Sequence, residues 1–252
     1  MLPCIVPPTR LRAKPYRIGA AGCLSRRPVR LACLTLSAIV AGTVLAASQG
    51  LGFSSSVTPG LVARYAAQFG PEVRTRISSW QEFVRSVPPQ QRRLSGGELQ
   101  LLGVVNAFFN RLPFVTDLAH WGVEDYWATP AEAVSSNGAD CEDFSIAKYF
   151  ALKELGVPIQ RLRITYVKAL RLNQAHMVLA YYQEPNAVPL ILDNLDEKIR
   201  LASERADLIP VYSFNDEDVL LKRRGRPDAR GSATRVRLWR ALLDKLEQEL
   251  HY

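Results

Sequence analysis

Past residue 47 this 252-residue sequence is short of three things: cysteine, net charge and long apolar runs. Cys4, Cys23 and Cys33 all lie near the start, and Cys141 stands alone after them. A single cysteine excludes an internal disulfide framework. The formal net charge of +8 is equally uninformative about partners. Of 32 basic residues, seven fall in 1–47, where there is no acid, and 25 follow against 24 acidic ones. The basic balance is a property of the first segment, so it does not point to nucleic acid. After residue 47 no segment is apolar enough to span a bilayer.

What is present at the start is a basic stretch, then an apolar run of about 17 residues from Leu31 to Ala47. Small residues at Val44-Leu45-Ala46-Ala47-Ser48 offer a cleavage site. This layout predicts a secretory signal peptide over residues 1–47, with an uncleaved signal anchor as the alternative. Ser25-Arg26-Arg27 resembles a twin-arginine signal, but Arg30 interrupts the apolar continuation. A Gly/Ser linker over 48–58 follows. An exported chain with one leftover thiol needs a reason for it, either a reactive role or inert burial.

Pro59 to Phe69, Pro71 to Val87 and Glu98 to Arg111 read as helices. Each of the first two opens on a proline, which suits a first helical turn. The third carries an apolar stripe of Leu101, Leu102, Val105, Phe108, Phe109 and Leu112, read as core. Thr129-Pro130-Ala131-Glu132 is a capping box that opens a short helix, ended by Asn137-Gly138. Asp140 then caps a helix whose first turn holds Cys141, Glu142 and Asp143. After Gly156 and Pro158 the apolar period changes from 3.6 to two. Leu162 to Tyr166, His176 to Tyr182 and Val188 to Leu192 read as strands, and Leu208 to Phe214 as a possible fourth. Closing a hairpin with Gln183 paired to Asn186 places His176 directly opposite Asp193. Residues 221–252 read as a basic tail with an amphipathic helix from Arg235 to Leu250.

Cys, His and Asp in that order make the constellation of a thiol enzyme. Helix-start geometry and an imidazolium partner favour a thiolate at Cys141. His176 would carry the proton and Asp193 would orient His176. The Cys141 backbone N–H is an oxyanion donor, with the Trp127 indole as the second candidate. Asp140, Glu142 and Asp143 oppose a thiolate. Capping accounts for two of them. The same three carboxylates are also a hard-cation ligand set, and Ca²⁺ takes six to eight oxygens. Their spacing is not that of an EF-hand loop.

Ala139-Asp140-Cys141-Glu142-Asp143-Phe144, preceded by Tyr126-Trp127-Ala128-Thr129-Pro130 and followed by Gln174-Ala175-His176-Met177-Val178 and Ile191-Leu192-Asp193-Asn194, resembles the bacterial transglutaminase-like cysteine proteinases over about residues 59–220. The resemblance implies an α+β, papain-like fold, with a helical lobe (about 59–156) packed on an antiparallel sheet lobe (about 157–220). It implies a Cys141–His176–Asp193 triad, and calcium held by Asp140, Glu142 and Asp143. It further implies a periplasmic endopeptidase that clips a large surface adhesin beside paired alanines and so releases biofilm cells. The implied inhibitor is an inner-membrane receptor for cyclic di-GMP. Two other readings keep the residues and change the role: a protein-crosslinking transglutaminase with the same triad, and a non-catalytic periplasmic binding module with a structural Cys141.

Overall fold

A computed structural model describes residues 57–87, 97–216 and 229–252, with side chains in the last stretch from 237 onward. The expected leader and most of the linker lie outside these residues, as does the start of the basic tail. No described helix is long and apolar enough to cross a membrane.

Three helices build one side. In α1 (Pro59–Phe69), Thr58 caps through its Oγ1, which accepts from the Leu61 N–H, and Gly70 at φ 94° ends the helix. Helix α2 (Val73–Ser86) buries Val73, Ile77, Trp80 and Val84, the four residues its period picks out. Helix α3 (Gly97–Phe109) buries Leu101, Leu102, Val105 and Phe109, and with them the polar Asn106. The Trp80 ring lies 4.9 Å from Phe108 and 5.2 Å from Phe109, so aromatic contacts tie α2 to α3.

A one-turn helix, α4 (Asp117–His120), leads to α5 (Pro130–Ser136), where the capping box forms as read: Glu132 N–H to Thr129 Oγ1 and Thr129 N–H to the Glu132 carboxylate. The central helix α6 (Cys141–Glu154) is buried from Asp143 to Leu152. Such all-round burial explains why its residues show little amphipathic pattern.

The other side is a five-stranded antiparallel sheet in the order β4-β3-β2-β1-β5. The strands are β1 (Leu162–Ala169), β2 (Gln174–Tyr181), β3 (Leu190–Leu192), β4 (Arg200–Leu201) and β5 (Leu208–Phe214). The β2–β3 hairpin closes later than expected. Leu179 pairs with Leu192 and Tyr181 with Leu190, two residues off the register that opposes His176 to Asp193. Pro185 and Pro189 explain the slip, because neither has the N–H a ladder needs. A slip of two preserves strand parity, so His176 and Asp193 remain on one face as diagonal neighbours.

Helix α7 (Ala229–Glu249) buries Trp239, Leu242 and Leu246 in the same core as α1–α6. Trp239 stacks on Phe150 and meets Phe214 edge-on, touching both the central helix and the sheet.

Candidate active site

The approach to Cys141 is fixed residue by residue. Asn137 closes α5 in the left-handed conformation, at φ 57°. At Gly138 a Cβ would stand 2.7 Å from the His120 ring, so any larger residue would have to displace that ring. Ala139 is then clamped on both sides, its N–H to Pro113 O (3.1 Å) and its carbonyl to Val115 N–H (3.0 Å). Asp143 points inward: Oδ1 accepts from Ala128 N–H (2.7 Å) and Oδ2 from Asp140 N–H (3.4 Å). Its role in the fold is therefore to tie the first turn of α6 to the Tyr126–Glu132 segment.

Around the thiol the charges are of one sign. Cys141 Sγ lies 2.9 Å from Glu142 Oε2. Burial pushes the Cys141 thiol well up, and Glu142 and Asp140 add to this, while the Met177 backbone N–H donating to the sulfur opposes it. Asp140, also raised chiefly by burial and then by Glu142 and Asp143, is pushed up to about 10. Asp117 joins this group. Burial raises it to about 6 despite the Tyr126 N–H, which donates to its Oδ2 at 2.6 Å. One ligand atom from each of Asp117, Asp140 and Glu142 lies within 4.8 Å of the others. Asp140 Oδ1 is buried and has no hydrogen-bond partner among the described residues. Three converging carboxylates with a desolvated, unpaired oxygen fit a hard divalent cation.

The sheet side is the reverse. His176 Nε2 meets Asp193 Oδ1 at 2.8 Å, with both side chains buried. The same Oδ1 accepts from Leu195 N–H (3.0 Å), and Oδ2 accepts from Arg205 Nη2 (2.8 Å). Burial raises Asp193, but His176, the Leu195 N–H and Arg205 outweigh it and take the carboxyl down to about 2. Arg205 is itself held by Asp207, at 2.9–3.0 Å. Lys148, buried on α6, has its ammonium pushed down to about 7 by burial, with Asp193 acting against that.

The structure thus brings His176 and Asp193 into direct contact, while the Cys141 sulfur has the Glu142 carboxylate as a hydrogen-bond partner. The site includes residues that the sequence does not announce. Asp117 lies 23 positions before Asp140, in a segment with no metal-site spacing. Arg205 sits between Glu204 and Asp207 in a stretch that also holds Lys198 and Arg200, so the sequence does not single it out. Trp127 is buried with its ring stacked 6.0 Å from Phe214 and its carbonyl accepting from Lys245 Nζ (2.7 Å).

Comparisons with known proteins give the family. The family model described as bacterial transglutaminase-like cysteine proteinase matches residues 82–208. Among solved structures, LapG of Legionella pneumophila is 39% identical, with a TM-score of 0.58, covering 73% of this chain and 95% of that one. Its EGTA-treated form is 36% identical over the same shares, with a TM-score of 0.57. Its calcium-bound form is 41% identical over 66% of this chain and 90% of that one, with a TM-score of 0.52. No curated protein matches. The chain belongs to the bacterial transglutaminase-like cysteine proteinases and is a cysteine protease of the LapG type.

Proposed function

We propose that Cys141, His176 and Asp193 form the catalytic triad of a calcium-dependent periplasmic endopeptidase that cuts the N-terminal region of a large surface adhesin. The observation that carries this reading is the buried 2.8 Å pair of His176 and Asp193. Because Asp193 engages Nε2, Nδ1 is the nitrogen left to take the thiol proton. The thiolate attacks the scissile carbonyl. The resulting oxyanion is met by the Cys141 N–H at the start of α6, with the Trp127 indole as second donor. His176 gives its proton to the leaving amine, and the acyl-enzyme is then hydrolysed by water activated by the same imidazole.

Asp117, Asp140 and Glu142 would hold the calcium ion, with Asp143 behind them fixing the backbone. Bound there, the ion would cancel the repulsion that the carboxylates exert on a Cys141 thiolate. The adhesin substrate, its cut beside paired alanines and sequestration by an inner-membrane cyclic di-GMP receptor follow from the family resemblance.

The test is cleavage of an adhesin N-terminal fragment by wild type and by Cys141→Ala, each with calcium and with a chelator. Cleavage that needs both the thiol and calcium is expected. Incorporation of a labelled amine in place of cleavage would move the assignment to a crosslinking transglutaminase.

A further inference from the structure

We infer that Asn110, with Asn106 one turn before it, is a positioning device that sets the triad aspartate from the opposite lobe. The inference rests on the triad reading above. Asn110 Nδ2 donates to the backbone carbonyl of Asp193 at 2.8 Å, and Asn106 Nδ2 donates to the backbone carbonyl of Glu197 at 3.0 Å. Both donors come from α3 and its C-terminal end, in the helical lobe. Both acceptors lie in the chain between β3 and β4, in the sheet lobe. Two side chains on one helical face therefore strap the segment that carries Asp193.

The choice of residue is the second argument. Asn106 interrupts the apolar stripe of α3, and it is 2% exposed. Its Oδ1 and that of Asn110 are both buried without a hydrogen-bond partner. Asparagine is also a poorer helix former than the leucines around it. A buried amide that satisfies only its donor side is a net liability as a packing residue. Its compensation is the carbonyl it holds. Asp193 has its side chain fixed by His176, Leu195 and Arg205. Those three contacts all lie within the sheet lobe, so they orient the carboxylate but cannot register it against α6, where Cys141 sits. Asn110 supplies a reference from the helical side, and α3 packs directly on α6.

A strap of this kind acts on turnover more than on substrate binding, since an ångström of misplacement in a catalytic group costs about 100-fold. The experiment measures kcat, KM and thermal midpoint on the calcium-loaded protein with an adhesin N-terminal fragment. Asn110→Leu removes the donor at similar volume; the expected result is kcat down about 10- to 100-fold with KM within about twofold. Asn106→Leu, whose carbonyl lies four residues past Asp193, should lower kcat by a smaller factor, about three- to tenfold, with KM within about twofold. Asn110→Gln should recover kcat to within about fivefold, because a cavity of about 580 Å³ beside Asn110 has room for one more methylene. If Asn110→Leu fails to fold, Asn110→Ser carries the same expectation. Asn110 variants with wild-type kcat and only a lower midpoint would overturn the inference while Cys141→Ala, still inactive, kept the triad. A folded wild type that cleaves nothing would overturn the triad reading and this inference with it.

Discussion

Asp140 and Asp193 are the same side chain in opposite situations. Burial is the largest cause acting on each, and in each it pushes the carboxyl up. What differs is the company. The neighbours that act on Asp140 are Glu142, Asp143 and Asp117, all of its own sign, and it ends near 10. Asp193 has an imidazole, a backbone N–H and a guanidinium, and it ends near 2. Burial alone therefore says nothing about how a carboxylate will behave; the charges and donors buried with it decide. The Asp193 side is complete as an ion within the protein. The Asp140 side keeps a buried oxygen without a hydrogen-bond partner among the described residues.

The largest expected effect is at Cys141, the residue after Asp140. Cys141→Ala should reduce turnover by about 10⁴-fold or more in the cleavage assay with the fold retained by circular dichroism. Next comes the satisfied side. Asp193→Ala should cost about 10³- to 10⁴-fold in kcat, and it should leave calcium binding by calorimetry unchanged. Arg205→Met, which leaves Asp193 with fewer partners, should cost about 10- to 100-fold in kcat and also lower the thermal midpoint.

On the unsatisfied side the signs reverse. Asp140→Asn should abolish calorimetric calcium binding, yet raise the thermal midpoint of the chelated protein, because a carboxyl raised to about 10 must be held protonated at neutral pH, a cost the amide does not carry. A lower midpoint in chelator would mean that Asp140 has a partner after all.

The smallest effect is in pH. Folded-state values of about 6 for Asp117 and about 10 for Asp140 lie above their ordinary 3.8. Such groups favour the folded state most below pH 4 and lose that contribution as pH rises through the raised values. Asp193, lowered to about 2, contributes stability above its ordinary value and loses it only as pH falls through 2. Between pH 5 and 7 the Asp193 contribution is flat, so the chelated protein should be more stable at pH 5 than at pH 7. Denaturant titrations at the two pH values check this, and Asp117→Asn should shrink the difference.

The two sides were also unequally legible. Local chemistry marks Cys141, with its cap, its helix start and its acid neighbours, and strand alternation marks His176. The pairing of His176 with Asp193 was readable as parity but not as register, since alternation fixes the face while two prolines set the length of the turn. The remaining members come from afar. Asn110 reaches Asp193 across 83 residues, and Arg205 reaches it across 12. Neither distance has a period that a one-dimensional pattern could reveal. The apolar stripe of α3 even concealed Asn106, because a stripe directs attention to its apolar members. The fold class was easier to see, because the change of period after Gly156 divides helices from strands without any tertiary information.

The hydrogen bond from Tyr65 on α1 to Glu249 on α7 joins residues 184 apart. Glu249 also accepts from Thr129, at the start of α5. A polypeptide is made from its N-terminus, so Tyr65 must wait for 184 further residues before this partner exists. During that interval the Tyr65 hydroxyl and the Thr129 cap lack their buried acceptor. The active-site segment, which leans on Lys245 of the same late helix, is then incomplete. The contacts at Tyr65, Thr129 and Trp127 therefore close only once residues 245–249 of α7 are in place.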